Sequence, residues 1–527
     1  MATDKRPNFL FFIADQLRAD HLGCYGNQIV RTPNIDRIAS QGFAADRFHV
    51  ASPICMPNRA TLMTGRMPSL HGVRHNGIPL SLHATNFVEL LRRAGYRTAL
   101  VGKSHLQNMT GTPPAWPRDP ATRPALEAVA DEGNYFQEWK PYWRDRPGHD
   151  VELPYYGFAT VHLTIDHGDD IEGHYRRWLK ARAPDCERLI GPANALPTPG
   201  LALAASRQAW RTRLPEALHP IAYCAEMSEA VIEGAARAGE PFFLFCSFAE
   251  PHHPFTPPGK YWEMHRPEDV ALPRSFRDGA NRPPFHVAAL RAERDAGRAL
   301  KHTPQLFACT EEEAREAIAL NYGSIACIDD AVGRVLARLA ALGLERDTVV
   351  IFTADHGDFM GDHQLLLKGP IHYRGLIQAP FVMRDPQAPQ AVRSDALCGT
   401  LDLAPTILAR AGVAEFNGIQ GRDLAPIVSG AASTLHAELL VEEEGQRPQV
   451  GFEGRVRMRS LVTERHRLSL YDGVASGEIY DLQRDPDEMI NLWDDPASAS
   501  LRAELLLRLA HKMIAMAETS PNPTAAA

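Results

Sequence analysis

Four apolar runs, each closing on polar residues, constrain this chain more than anything else in it. They are "NFLFFIADQ", ending at Asp15 and Gln16; "RTALVGKSH", ending at Lys103 and His105; "FFLFCSFAEPHH", ending at His252 and His253; and "TVVIFTADH", ending at Asp355 and His356. Continuous rather than alternating hydrophobicity marks strands covered on both faces, as in a parallel sheet under helices. Helical signals separate them. "TNFVELLRRAG" leads to the second run with Gly95 as its stop, and Glu311 to Leu344 places Ile318, Ile325, Ile328, Val332, Val335 and Leu339 on one face. The pattern predicts an α/β fold with a mostly parallel central sheet flanked by helices. Open sheets of this kind bind ligands outside the carboxyl ends of their strands, so the four polar tails should gather into one site.

The texture changes after about Gly430. "AELLVEEE", "RMRSLVTE", "HRLSLYDG" and "GEIYDL" read as short strands, and Ser498 to Met516 as a closing helix. The expected division is a catalytic α/β domain over 1–430 and a smaller C-terminal α+β domain over 431–527. The Pro-rich stretch around 108–220 has weak periodicity and reads as insertions, in which the aromatics of "ELPYYGFATVHL" and "KPYWRDRP" either offer walls to a ligand or simply pack the insertion. Leu501, Leu505, Leu506 and Leu509 form an apolar stripe for packing within that domain, or for a homo-oligomer contact.

Composition excludes several classes. With 44% hydrophobic residues among 527, the chain can bury a large core, and a net charge of −8 without a basic stripe argues against a nucleic-acid partner. Asp15 interrupts the first apolar run, and no window approaches the roughly 18 apolar residues of a membrane span. A cytoplasmic protein without a membrane partner is expected. The eight cysteines are scattered without paired spacing, so no disulfide scaffold is expected and most are small buried hydrophobes.

The tails carry recognisable chemistry. Asp15, Gln16, Asp355 and His356 offer two carboxylates, an amide oxygen and an imidazole to a divalent cation. Lys103, His105, His252 and Lys368 add groups that can hold a tetrahedral oxyanion and steady a leaving group. A nucleophile is wanting, and "SPICMPNRATLMTGR" contains a candidate in Cys55. A thiolate phosphatase would follow its cysteine with a Gly-rich anion cradle. Here Pro57 has no N–H to give and suits a first helical turn, so a helix is expected from about Pro57 to Met63, ended by Gly65.

Cys55-Met56-Pro57-Asn58-Arg59 resembles the C-x-P-x-R signature of the sulfatase family, within the alkaline-phosphatase-like superfamily. "TGRMPSLHGV", "GYRTALVGKSH", "EPHHPF", "TADHGDFMGDH", Lys368 and "GEIYDLQRDPDEMINLWD" follow in that family's order, over nearly the whole chain. The resemblance implies that a maturation enzyme oxidises Cys55 to formylglycine, whose hydrate attacks a sulfate ester and later expels sulfate as the carbonyl re-forms. It implies Asp15, Gln16, Cys55, Asp355 and His356 as metal ligands and Arg59 as electrostatic support. Lys103, His105, His252 and Lys368 would serve catalysis and substrate binding, with Asn76 as a further donor. Asp358, Asp362 and His363 would stand behind these groups or at the entrance.

Many sulfatases carry consecutive aspartates at the first metal position and Asp-Asn at the later one. Asp15-Gln16 and Asp355-His356 depart from that. They resemble the phosphonate monoester hydrolase and phosphodiesterase branch, whereas "GKSH" is sulfatase-like. The expected partner is therefore a small-molecule sulfate ester, with phosphonate monoesters or phosphate diesters as the alternative. A binding protein that kept the fold and lost the chemistry is disfavoured, because no central group is missing. The expected cofactor is one divalent cation, Ca2+ or Mn2+, with Mg2+ or Zn2+ as alternatives.

Overall fold

The computed structural model describes residues 6–116, 131–277, 283–388 and 391–525; residues 117–130 of the expected insertion lie outside it. The apolar runs become β1 (Asn8–Ala14), β3 (Arg97–Gly102), β6 (Phe242–Phe248) and β7 (Thr348–Ala354). To these are added β2 (Phe43–Ala45), β4 (Thr160–Ile165), β5 (Glu172–Gly173), β8 (Phe381–Arg384) and β9 (Val392–Ser394). The nine form one sheet in the order β9-β2-β8-β7-β1-β6-β3-β4-β5. Its middle, β7-β1-β6-β3-β4, is parallel throughout. Register is level there: Ala14 pairs with both Ala354 and Phe248, and Gly102 with both Ser247 and Leu163. Neighbouring strands therefore run out at one edge.

The stretch around 108–220 departs from expectation, since it supplies β4 and β5 to the sheet. The run "TVHLTI" is interrupted by threonine and histidine, because β4 lies towards the sheet margin beside the two-residue antiparallel β5, where Thr160 and His162 are only half-buried. Hydrophobic continuity, the signal that marks the other strands, is diluted there.

Helices α1 (Cys55–Thr64), α2 (Phe87–Arg93), α3 (Pro220–Ala238) and α4 (Glu311–Ala341) are followed near the C-terminus by α5 (Ala499–Ala515). Helix α3 packs on β6 and β3 and against α4. Thr310 and Glu313 cap α4 reciprocally, which satisfies two of the amide groups a helix start leaves open. The C-terminal strands β10 (Glu438–Glu444), β11 (Arg457–Thr463), β12 (His466–Tyr471) and β13 (Glu478–Asp481) form an antiparallel meander. Leu505 and Leu509 of α5 are buried against Leu440, Leu461, Leu468 and Ile479, so the leucine stripe is used inside the chain. Ala51 and Met67 from the larger part join the same core.

One buried ion cluster pins the small sheet. Arg467 donates to Glu488 at 2.5 Å, to Glu478 at 3.2 Å and to the Ser469 hydroxyl at 2.6 Å, and all three charged side chains are almost fully buried. Deleting one partner of such a cluster strands the others without compensation. Arg467→Met is therefore expected to cost about 3–5 kcal/mol of stability. Urea unfolding checks it, and an unchanged midpoint would mean that water reaches the two glutamates.

Candidate active site

The carboxyl ends of the parallel strands deliver their side chains to one edge through specific backbone devices. Asp15 N–H donates to Glu250 O at 3.1 Å, Asp355 N–H to Ala14 O at 3.2 Å and Lys103 N–H to Ser247 O at 2.9 Å, so the strands stay paired to the last residue before they turn. Gly102 turns with φ +100°, where a Cβ would fall 1.8 Å from Ser247 O; only glycine can occupy it. Gln16 and His105 adopt positive φ, of 62° and 57°, a conformation uncommon in residues with side chains.

Helix α1 brings the cysteine. It starts at Cys55 itself, two residues before the expected Pro57, and ends at Gly65, φ 61°. All ten of its residues are buried, which explains why its sequence shows no amphipathic stripe. Ile54 cannot cap it. Instead, Asn76 Oδ1 accepts the Met56 N–H at 3.0 Å, so the side chain expected as a substrate donor holds the helix start with its oxygen.

Around Cys55 Sγ stand Lys368 Nζ at 2.9 Å, His356 Nε2 at 3.1 Å and Asp15 Oδ1 at 3.6 Å. Asp15, Cys55, Asp355 and His356 each offer a ligand atom, all within 4.8 Å of one another and all buried. His356 Nδ1–H donates to Gly357 O at 2.8 Å, which leaves Nε2 as the lone-pair nitrogen facing the cluster. Burial, helped by Lys368, takes the His356 pKa down to about 4, so the ring is neutral. Gln16 Oε1 is buried and unpartnered, while its Nε2 reaches His253 at 3.2 Å and also Asp358. An orphaned buried oxygen beside two carboxylates and an imidazole fits a divalent cation.

Positive groups surround the carboxylates. Arg59 Nε donates to Asp355 Oδ2 at 2.8 Å, its Nη1 reaches Lys103 O and Ser247 Oγ, and its Nη2 lies 3.7 Å from Asp15. Burial alone would raise the Asp15 pKa, but Lys103, His252, His167 and Arg59 hold it well below the usual carboxylate range. Burial, then Asp15, pushes the Cys55 thiol up against the pull of Lys368. As a thiol, Cys55 is a poor nucleophile at neutral pH. Burial works against the Lys368 charge too, yet Cys55, Asp15 and Asp355 raise its pKa, so it stays an ammonium.

Lys368 Nζ also lies 3.1 Å from His252 Nε2, while His252 Nδ1–H donates to His253 O. His105 is buried with Nδ1 unpartnered, and burial with Lys103 keeps it neutral. The catalytic and metal-ligand candidates thus lie in or beside one cluster, with Asp358 behind Gln16, while Asp362 and His363 stand farther out on Arg18 and Tyr373.

One residue escaped the sequence reading. His167, after β4, has Nε2 at 2.6 Å from Lys103 Nζ and 3.5 Å from Asp15, and its ring stacks on His252 at 3.7 Å. With Asp15 and His252 it makes a second trio of ligand-type atoms. The signal existed, because "IDHGDD" after β4 repeats the Asp-His-Gly of "TADHGD" after β7. Of the two readings of the insertion aromatics, packing holds for the tyrosines. Tyr155 and Tyr156 are drawn into the core, Tyr155 by its bond to Glu138, whose carboxylate also accepts the amides of His105, Leu106 and Gln107. A cavity of about 760 Å³ opens over Cys55, and none of the residues of "ELPYYGFATVHL" or "KPYWRDRP" lines it.

The family model described as "Sulfatase" matches residues 7–413. The chain belongs to the sulfatase family. A second model, "N-sulphoglucosamine sulphohydrolase, C-terminal", matches residues 361–515 of this sulfatase-family chain and spans the small sheet and α5. An arylsulfatase of Clostridium perfringens is 26% identical, covering 92% of this chain and 90% of its own. A multifunctional alkaline phosphatase superfamily protein of Trinickia caryophylli is 28% identical, with 94% and 93% covered. Among solved structures, the phosphonate monoester hydrolase of Agrobacterium radiobacter superposes with a TM-score of 0.73 at 26% identity, covering 96% of both chains. No helix among the described residues is long and apolar enough to cross a membrane.

Proposed function

We propose that this member of the sulfatase family hydrolyses small-molecule sulfate esters with a formylglycine hydrate derived from Cys55, in a catalytic part ending near residue 430. The observation that carries this is the setting of Cys55, at the first turn of a buried helix with Lys368, His356 and Asp15 about its sulfur. A thiol held protonated there is a poor catalyst, whereas an aldehyde hydrate in its place would present two hydroxyls to the same groups.

Asp15, Gln16, Asp355, His356 and the hydrate would hold a divalent cation, with Ca2+ or Mn2+ suiting oxygen donors joined by one imidazole. Such a cation would supply Lewis-acid polarisation and raise the acidity of the attacking hydroxyl. Arg59 pairs with both carboxylates and keeps them in place. Lys103 and Lys368 hold the non-bridging oxygens of the ester. The attacking hydroxyl gives its proton to His252 Nε2, the ring nitrogen left free because Nδ1–H donates to His253 O, and His252 returns it to the leaving oxygen as the bond from sulfur breaks, with the Lys368 ammonium 3.1 Å away steadying that oxygen. His105, neutral with a free Nδ1, takes the proton of the second hydroxyl while the carbonyl re-forms and sulfate departs.

A second reading, phosphonate monoester or phosphate diester hydrolysis, is favoured by Gln16 and His356 where many sulfatases have carboxylate and amide. Its support is the similarity to the Agrobacterium phosphonate monoester hydrolase. Mass spectrometry of the Cys55 peptide, from protein made with a maturation enzyme, should find formylglycine. Turnover of phenyl sulfate against phenyl phenylphosphonate then chooses the branch. Full activity with unmodified cysteine would overturn the hydrate mechanism.

A further inference from the structure

The same cavity contains charge that the reaction does not use. Arg447 and Arg455 come from the loop joining β10 to β11, closed at its base by Gly445 N–H donating to Val456 O at 2.7 Å, and Arg207 enters from the segment before α3. None of the three guanidinium groups has a hydrogen-bond or ion-pair partner among the described residues. The acids of the cavity wall are already taken. Asp166 pairs with Lys140 at 2.9 Å, Glu443 with His372 at 3.2 Å and Glu444 with Arg74 at 3.3 Å. Two histidines, His75 and His302, also line the wall and add no negative charge.

A chain of net charge −8 thus presents unbalanced guanidinium groups at the cavity over its candidate nucleophile. Arg59, Arg467 and Arg176, which have acidic partners, show raised pKa values despite burial. Arg447 shows the opposite, because burial lowers its pKa and nothing offsets it. Guanidinium forks are the side chains best shaped for planar carboxylate, sulfate or phosphate groups.

We propose that Arg447 and Arg455, together with Arg207, bind a second anionic group on the alcohol half of the ester, so that the preferred substrates are esters carrying an additional carboxylate, sulfate or phosphate. This rests on the hydrolase reading above for the placement of the reacting group at Cys55. The three arginines act as binding and specificity residues and take no part in bond making.

The test measures binding separately from chemistry. In Cys55→Ala protein with Mn2+, calorimetry compares 3-carboxyphenyl sulfate and 4-(2-carboxyethyl)phenyl sulfate with their primary amides, which are similar in shape but lack the second charge. A charge-assisted contact predicts that at least one acid binds roughly 10- to 100-fold more tightly than its amide. Adding Arg447→Gln and Arg455→Gln should bring that ratio within about twofold, with amide affinity in the same protein reporting its folding. Phenylene-1,3-disulfate in place of the carboxylates tells whether sulfate serves as well. A ratio near one for both acids, a ratio that survives the double substitution, or no binding of either acid would overturn the proposal. Failure of mature enzyme to hydrolyse any of these esters would count against the hydrolase reading alone, since the affinity ratio does not depend on turnover.

Discussion

Cys55→Ala, made beside parent protein in cells that supply the maturation enzyme, is expected to lower kcat for an aryl sulfate by about a million-fold, the scale seen when a nucleophile is removed from a catalytic unit. Lys103, Lys368 and His252 would remain, yet none of them offers an oxygen to form the covalent ester. Cys55→Ser sharpens the test. Its hydroxyl can be sulfated, but the ester has no second hydroxyl from which the carbonyl could re-form and expel sulfate. It should therefore release one equivalent of alcohol and stop, and a stopped-flow burst without steady-state turnover is the readout. Both variants replace a small, fully buried side chain with another of similar size, so their melting temperatures should stay near that of the parent. Sustained turnover by the serine variant would mean that water attacks the ester directly.

Removal of divalent cations should be nearly as damaging to activity and far less so to the fold. Lewis-acid stabilisation is worth several kcal/mol in the transition state, so chelation should cost about a thousand-fold in kcat. The folded state should survive, because Arg59 and Lys103 already sit on the two carboxylates that would otherwise repel each other. Re-adding the cation at about a thousand times its Kd should raise stability by about 4 kcal/mol, visible as a rise in Tm. Asp355→Asn should abolish that rise, since it removes one of the two carboxylates of the cluster. If Tm responds equally in the variant, the cation binds elsewhere. Comparing Ca2+ with Mn2+ in this assay identifies the preferred ion without relying on turnover.

The strand ends were legible in the sequence because continuous apolar runs alternating with helical segments fit a buried parallel sheet, and that arrangement fixes where their polar tails go. Asp15, Lys103, His252 and Asp355 follow from this alone. His167 did not, because β4 mixes threonine and histidine into its run and lacks the continuity that gave the other strands away. The role of Asn76 was legible only in part. Its place at the cavity followed from motif order, whereas the direction of its amide depends on the Met56 N–H, which has no acceptor within its own helix and no capping side chain before it. The tyrosines of "ELPYYGFATVHL" stay open between ligand wall and packing for a related reason. Sequence shows that aromatics are present, but Glu138, which turns Tyr155 inward, lies 17 residues away. Arg447 and Arg455 were invisible for the longest-range reason of all, since the reach of a C-terminal hairpin over a distant strand edge leaves no local pattern.

The level register of β7, β1, β6, β3 and β4 separates two kinds of inheritance. The strand-end groups at the floor of the cavity descend from strands locked to their neighbours along their whole length, so a change in any of them disturbs the others. The rim is built from loops that can lengthen, shorten or exchange residues while that floor stays still. A lineage can therefore explore new molecules to act on by editing loops such as that of Arg447 and Arg455, and keep its chemistry intact throughout the search.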